Sequence, residues 1–141
     1  MNVRTAVAAD LDQVIELIAE LGYRPGRELM ARQLQLYLTL EYSRVFVADG
    51  TDNKLLGLLS ACCMPLLHAG WIGRITALVI AADARRQGVG SHLITAAEAW
   101  FAERGCQRLE VTSNQRRLDA HEFYRALGYA PASVRFIKDR T

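Results

Sequence analysis

The feature that most constrains the fold is an apolar strand that leads, through a loop with two glycines, into a helix. Residues 71–80, WIGRITALVI, are predicted as a strand, and the chain is continuously apolar from Ala77 to Ala82. Such a run is typical of a central strand that is covered on both faces. The loop ARRQGVG (84–90) comes next, and apolar residues then recur at helical spacing up to Gly105. A buried strand followed by a helix indicates a mixed α/β fold.

Apolar periodicity and turn residues predict further elements on both sides of this unit. Asp10 is expected to cap the first helix, with Gln13 as its capping-box partner, and a second helix is expected after Pro25-Gly26. The turn GTDNK (50–54) is expected to join two strands into a hairpin. The predicted order is β-α-α-β-β-β-α-β-α-β. The remaining strands are predicted at 2–7, 44–49, 55–64, 108–113 and 133–138, and the last helix at 118–127.

Length and composition limit the classes of function. The 141 residues suit one domain, 1–141, and a composition with 51% hydrophobic and 23% charged residues is ordinary for a globular protein. A formal net charge of +2 is too small to indicate nucleic-acid or membrane binding. The three cysteines favour reduced thiols in the cytoplasm over a disulfide framework or a zinc site. No signal peptide is expected, and no apolar run approaches the ~20 residues that span a bilayer.

The loop before the predicted helix has the chemistry of an anion site. The first turn of a helix carries N–H groups without partners and partial positive charge, so anions bind there. Gly88 and Gly90 lack a Cβ and would let a phosphate approach the main chain, while Arg85 and Arg86 add positive charge. A loop that only has to turn tightly explains the two glycines equally well.

Two other phosphate-binding motifs fit this loop less well. A P-loop requires Lys and then Ser or Thr after its last glycine, whereas Gly90 is followed by Ser-His. A dinucleotide-binding fingerprint requires a third glycine, where this chain has Leu93, and its glycines directly follow the strand. Glu110 lies near the position of the acidic residue that binds the ribose in that fingerprint, so the dinucleotide alternative stays open.

Two motifs together resemble a known family. Arg85-x-x-Gly88-x-Gly90 after an apolar strand resembles the acyl-CoA motif Q/R-x-x-G-x-G/A of the GNAT N-acetyltransferases. The segment SNQRRLDAHEFYRALGY (113–129) is similar to that family's last block, in which an Asn precedes a helix ending in F-Y-x-x-L-G-Y/F. The resemblance covers nearly the whole chain. It implies the GNAT fold, an α/β fold with a mixed, mostly antiparallel central sheet, flanking helices and splayed central strands.

The resemblance also implies a reaction and its residues. The chain would be an N-acetyltransferase that passes an acetyl group from acetyl-CoA directly to a primary amine of a small molecule or peptide. Tyr124 would be the catalytic acid that protonates the departing CoA thiolate, since tyrosine, with an ordinary pKa of about 10, is protonated at neutral pH. The strand end would bind the pantetheine arm and polarise the thioester carbonyl, and the loop would wrap the pyrophosphate. The implied cofactor-binding residues are Leu78, Val79, Ile80, Arg85, Arg86, Gln87, Gly88, Val89, Gly90, Ser91 and Asn114.

The resemblance leaves the proton acceptor and the acceptor amine open. Many members carry a glutamate in the strand before the motif, and this chain has none there. Glu110 on the next strand is either a water-mediated proton relay or a solvent-facing strand residue. A non-catalytic acyl-CoA-binding sensor or partner protein of the same fold is the alternative function. The arginine pairs Arg85-Arg86 and Arg116-Arg117 raise the alternative of a DNA-binding protein, yet two isolated pairs fit the binding of one phosphate-bearing ligand better. No metal, nucleic-acid or membrane partner is expected, and homodimers are frequent in the family.

Overall fold

The structure, a computed structural model, describes residues 1–112 and 118–140 and confirms a mixed α/β fold. A five-stranded sheet is flanked by helices. Within the described ranges, every helix is too short or too polar to cross a bilayer. The strands are β1 (Asn2–Thr5), β2 (Ser43–Asp49), β3 (Leu55–Leu66), β4 (Gly70–Ile80) and β5 (Arg108–Val111), and the helices are α1 (Leu11–Glu20), α2 (Arg27–Thr39), α3 (Val89–Glu103) and α4 (Leu118–Ala126).

The sheet follows the chain order β1-β2-β3-β4-β5. Its first three pairings are antiparallel, and β4 pairs with β5 in parallel. Only the stretch 72–75 of β4 pairs with β5, although β4 continues to Ile80. Thr76 is the extra residue of a β-bulge opposite Ser60 and Ala61, and a bulge bends its strand. Within the described residues, the pairing of β4 with β5 ends at Ile75 and Val111. The splay beyond this point stays a prediction, since residues 113–117 lie outside the described ranges.

The helix α3 lies directly against the backbone of β4. A Cβ at Gly73 would lie 2.4 Å from Cδ1 of Phe101, so a glycine is required for this close approach. Phe101 is fully buried, and the neighbouring Trp100 meets Phe46 of β2 edge-on at 6.2 Å. Successive strand residues point to opposite faces, so Arg74, next to Gly73, lies on the face away from α3. The contacts of α2 with β2 and of α1 with β3 and β4 cover part of that second face.

The start of α1 differs from the predicted capping box. Asp10 makes no side-chain cap bond to α1, and its carboxylate instead accepts two hydrogen bonds from the Arg4 guanidinium, at 2.9 and 3.0 Å. Gln13 accepts a hydrogen bond from the Leu55 N–H at 2.7 Å and donates one to the Asn53 carbonyl at 2.8 Å. These tertiary partners fix the β2–β3 turn on α1. Because they are distant in sequence, the local pattern did not predict them.

The predicted last strand at 133–138 is wrong. Residues 130–140 form neither helix nor strand, and Phe136 is 92% exposed, with Val134 and Ile137 also largely exposed. Alternating apolar residues form a strand only where a sheet edge pairs with them. In the described part of the chain β1 and β5 are the two edge strands, and neither is paired with this segment.

Candidate active site

The junction between β4 and α3 is built around a left-handed glycine. Gly88 has φ +79° and is the N-cap of α3, a conformation that glycine adopts without steric cost. Its carbonyl accepts a hydrogen bond from the His92 N–H at 3.1 Å. The N–H groups of Val89, Gly90 and Ser91 precede that bond, so they have no carbonyl within the helix, and no side chain caps them. These three donors at the positive end of a helix suit the oxygens of a phosphate.

The loop before these donors is exposed and positively charged. Arg85, Arg86 and Gln87 are exposed, and Arg86 has φ +66°, which is strained for a residue with a Cβ. Asp83, at the start of the loop, pairs with Lys54. The hydrogen bond from Lys54 holds the pKa of that carboxyl below its ordinary value. The negative charge beside the loop is thus paired with Lys54 and does not oppose an anion at the arginines.

The end of β4 is paired on its β3 side. Leu78, Val79 and Ile80 pair with β3, and they lie beyond Ile75, the last residue of β4 that pairs with β5 within the described residues. The Val79 side chain is buried at 4% exposure, so this residue can meet a ligand only through its main chain. An open strand edge can pair with an extended ligand through main-chain hydrogen bonds.

The helix α4 packs against the same junction. A Cβ at Gly90 would lie 3.1 Å from Cζ of Phe123, so this glycine makes room for the Phe123 ring. The rings of Phe123 and Tyr124 are 5.3 Å apart, and both side chains are half-buried. Tyr129 contacts Tyr124 edge-on at 6.1 Å, and its hydroxyl donates to Glu98 of α3 at 2.7 Å. Burial and the bond to Glu98 raise the pKa of Tyr129 well above its ordinary value. Tyr129 therefore anchors α4 beside α3.

The bulge of β4 carries a cluster of hydroxyl groups that sequence reasoning missed. The Thr76 Oγ1 lies 2.6 Å from the Ser60 Oγ and 3.3 Å from the Tyr37 hydroxyl of α2. Thr76 is exposed and the other two residues are half-buried, so the cluster is open to solvent. The sequence signal was a single hydroxyl residue at the start of an apolar run. Its partners come from two other elements, which only the fold brings together.

An ion pair lies beside this cluster. Arg74 and Glu110 are register neighbours on β4 and β5, and Glu110 Oε1 accepts hydrogen bonds from Arg74 Nη2 at 2.7 Å and from Nε at 3.3 Å. The register neighbour of Arg74 on β3 is Cys62, two residues from Ser60, so the ion pair and the hydroxyl cluster share one face. Glu110 is therefore a strand residue held by a partner rather than a free carboxylate. We name this surface the polar groove; it is formed by Tyr37, Ser60, Arg74, Thr76 and Glu110.

Three further predictions concern metal binding, cysteines and Asn114. Within residues 1–112 and 118–140, no group of three or more His, Cys, Asp or Glu side chains is arranged to hold a metal ion. The three cysteines are free thiols, and burial raises the pKa of Cys63 to about 12. Asn114, which the resemblance places in the cofactor site, lies outside the described residues.

Comparison with known proteins establishes the family. The model of the Acetyltransferase (GNAT) family matches residues 11–129. The chain belongs to this family. An aminoalkylphosphonate N-acetyltransferase of Salmonella typhimurium (strain LT2) is 34% identical to this GNAT protein over an alignment of 143 positions. The alignment covers 97% of this chain and 90% of that protein. The predicted activity is thereby confirmed: the protein is an acetyl-transferring enzyme with N-acetyltransferase activity.

Solved structures share the fold over the full length of this GNAT enzyme. A transcriptional regulator from Bacillus halodurans C-125 matches it with a TM-score of 0.86 and 27% identity, over 99% of both chains. An aminoglycoside antibiotic 6'-N-acetyltransferase from Acinetobacter haemolyticus matches with a TM-score of 0.85 and 20% identity, over 100% of this chain and 99% of that one. These matches confirm the predicted GNAT fold.

Proposed function

We propose that this enzyme binds acetyl-CoA along the side of β4 opposite β3 and transfers the acetyl group directly to a small primary amine, with the chain 1–141 acting as one domain. One juxtaposition supports this most. The end of β4, the N–H donors at the start of α3, and the Phe123–Tyr124 pair meet at a single junction. Acetyl-CoA supplies an activated acetyl group and a thiol leaving group, and the residues of the chain bind, orient and move protons.

The pyrophosphate end of the site is assigned to the loop and the first turn of α3. The N–H groups of Val89, Gly90 and Ser91 face a ligand with the helix dipole behind them, and Arg85 and Arg86 add charge that does not titrate near neutral pH. The observed left-handed turn at Gly88 favours this assignment, because it leaves the helix end without a side-chain cap. Gln87 completes the exposed segment.

The pantetheine arm is assigned to the side of Leu78–Ile80 opposite β3. An extended amide-containing chain pairs with main-chain groups as an added strand does. One N–H of this segment would polarise the thioester carbonyl as negative charge develops on its oxygen. The described pairing of β4 with β5 ends at Ile75, just before this segment begins, which supports this role.

Tyr124 is assigned as the general acid. Its ring lies next to Phe123, which packs against Gly90, so the phenol is held at the meeting point of the loop and the strand. In this role its Oη–H donates a proton to the sulfur of the departing CoA thiolate. Tyr129 does not share the role, because its hydroxyl is engaged with Glu98.

The amine is assigned to the hydroxyl groups of Ser60 and Thr76 in the polar groove. The hydroxyl oxygens of Thr76 and Ser60 can accept hydrogen bonds from an amine, and Thr76 is exposed, so the lost proton can pass to solvent. This arrangement does not require Glu110 as a base, which agrees with its pairing to Arg74. Direct transfer is favoured over an acyl-cysteine, because burial raises the pKa both of Cys62, which faces the groove, and of Cys63, so both thiols stay protonated.

The test of the proposal is thiol release from acetyl-CoA with a panel of primary amines, including an aminoalkylphosphonate, the acceptor class in the name of the Salmonella relative. Tyr124→Phe should lower kcat by about 100-fold or more, because the leaving thiolate loses its proton donor. Acetyl-CoA affinity, measured by calorimetry, should stay near the wild-type value.

Tyr23→Phe is the matched control, because that phenol is 65% exposed and remote in sequence from the junction. It should leave both kcat and affinity unchanged. Full activity of Tyr124→Phe would refute the acid role. Binding of acetyl-CoA by the wild type without transfer to any amine of the panel would refute the proposed acceptor class.

A further inference from the structure

We propose that Arg74 is an acid-group subsite in the polar groove, which selects amines that also carry a phosphonate, phosphate or carboxylate group. The inference rests on the proposed function, since it assigns the amine to the same groove. It concerns a residue of β4 that the sequence analysis did not assign and that lies outside the cofactor residues.

The Arg74 guanidinium is bonded to Glu110 along one edge only. Glu110 accepts hydrogen bonds from Nε and Nη2, which form one edge of the planar group. The other edge, formed by Nη1 and the second hydrogen of Nη2, has the fork geometry that binds an acid group with two parallel hydrogen bonds. The Arg74 side chain is 38% exposed, so the guanidinium is not sealed inside the fold. Glu110 thus acts as a positioning residue that fixes the plane of the guanidinium.

The spacing of Arg74 and Thr76 suits a short acceptor. They are two residues apart on β4, which is at most about 7 Å along the strand because Thr76 lies at the β-bulge. An amine held at the hydroxyls of Thr76 and Ser60 therefore places a short alkyl chain along the strand toward Arg74. A small amine with an acid group at the end of such a chain spans the two sites, whereas an amine without one leaves the guanidinium edge without a partner.

The strand neighbours of Arg74 leave its positive charge available for an acid group. The groups that face Arg74 from the neighbouring strands are Glu110 on β5 and Cys62 on β3. Burial raises the pKa of the Cys62 thiol, so Cys62 is neutral at neutral pH. The one carboxylate among these strand neighbours is already engaged with Nε and Nη2. Within the described residues, the side-chain hydrogen bonds of Arg74 run from Nε and Nη2 to Glu110, so Nη1 is assigned to the acid group of the acceptor.

The test compares two acceptors of similar length, 2-aminoethylphosphonate and propylamine, in the same thiol-release assay. The wild type should prefer the acidic amine. Arg74→Gln should raise KM for the acidic amine by about 10–100-fold, as expected for a lost charge-assisted contact, and change kcat/KM for propylamine by less than about threefold. Arg74→Lys keeps the charge but not the fork, so its KM for the acidic amine should lie between those of the wild type and Arg74→Gln. This variant also shows whether a loss in Arg74→Gln is due to a folding defect.

The control is Arg104→Gln, which removes another arginine paired with a glutamate, Glu41, at the end of α3 on the opposite face. It should not change the preference between the two acceptors. Glu110→Ala should raise KM for the acidic amine but not for propylamine. Glu110→Gln should bring this KM back near the wild-type value, because the glutamine side-chain carbonyl still accepts hydrogen bonds from Nε and Nη2 of Arg74.

Two outcomes would overturn the subsite. One is an equal loss of kcat/KM for both amines in the Arg74 variants. The other is a wild-type enzyme that does not prefer the acidic amine. Either outcome leaves the proposed transfer to amines intact, because propylamine acetylation still reports it. Failure to acetylate any amine would instead contradict the proposed function itself.

Discussion

Replacing Gly73 by alanine should test whether the packing of α3 on β4 holds this strand in place. The new Cβ would lie 2.4, 2.5 and 2.8 Å from three ring atoms of Phe101. Phe101 is fully buried and Trp100 is 3% exposed, so the ring has little room to move. Overpacking of this kind costs about 1–3 kcal/mol, and the lower backbone entropy of unfolded alanine returns about 0.5–1 kcal/mol. We expect a net loss of about 1–2 kcal/mol in the free energy of unfolding.

The assay is urea unfolding followed by tryptophan fluorescence, with thermal unfolding as a second measurement, in which Tm should fall by roughly 3–8 °C. Phe101→Leu in the same chain should recover at least about 1 kcal/mol relative to the sum of the two single changes, since the clash is specific to the ring. Gly26→Ala is the control, because nothing lies within 4 Å of its Cβ position. A stability of Gly73→Ala equal to or above the wild type would refute this packing argument.

Two further predictions concern charge and strain. The pKa of Asp10 is lowered in the folded state by its hydrogen bonds from Arg4, so its contribution to stability is present above the unfolded pKa of about 4 and is lost as pH falls through the folded value. Asp10→Asn should cost about 1–2 kcal/mol at pH 7 and little at pH 2, which acid titrations of both proteins by circular dichroism would show; an equal loss at both pH values would contradict it. Arg86→Gly should relieve the strain at φ +66° and stabilise the fold slightly, while acetyl-CoA affinity falls and its salt dependence weakens; affinity unchanged at low salt would remove Arg86 from the cofactor site.

The positions of most elements could be predicted from the sequence because their patterns are local. The apolar run at the end of β4, the turn between β2 and β3, and the glycine before α3 each determine the conformation of a few consecutive residues. The segment 133–138 has the same kind of local pattern but forms no strand. A strand depends on a paired edge, and the presence of that edge cannot be predicted from the segment alone.

The roles of single side chains divide in the same way. The two glycines of the loop predicted a backbone with positive φ, which Gly88 has, while the anion site stays a prediction. The sequence did not show that Gly90 also makes room for Phe123, because these residues come from different helices. Gln13 likewise does not form the expected local capping bond. Its side-chain amide instead makes two hydrogen bonds to main-chain groups of the turn after β2.

The sequence by itself determined the family and the order of the elements up to the last helix, because these depend on motifs of consecutive residues, and it predicted the cofactor end of the site. Only the tertiary structure brought together the residues of the polar groove, where we propose that the amine binds. The polar groove joins Tyr37 of α2, Ser60 of β3, Arg74 and Thr76 of β4, and Glu110 of β5. The physical reason is that strand register and one bulge set which side chains meet, and register is a property of paired strands rather than of any single segment.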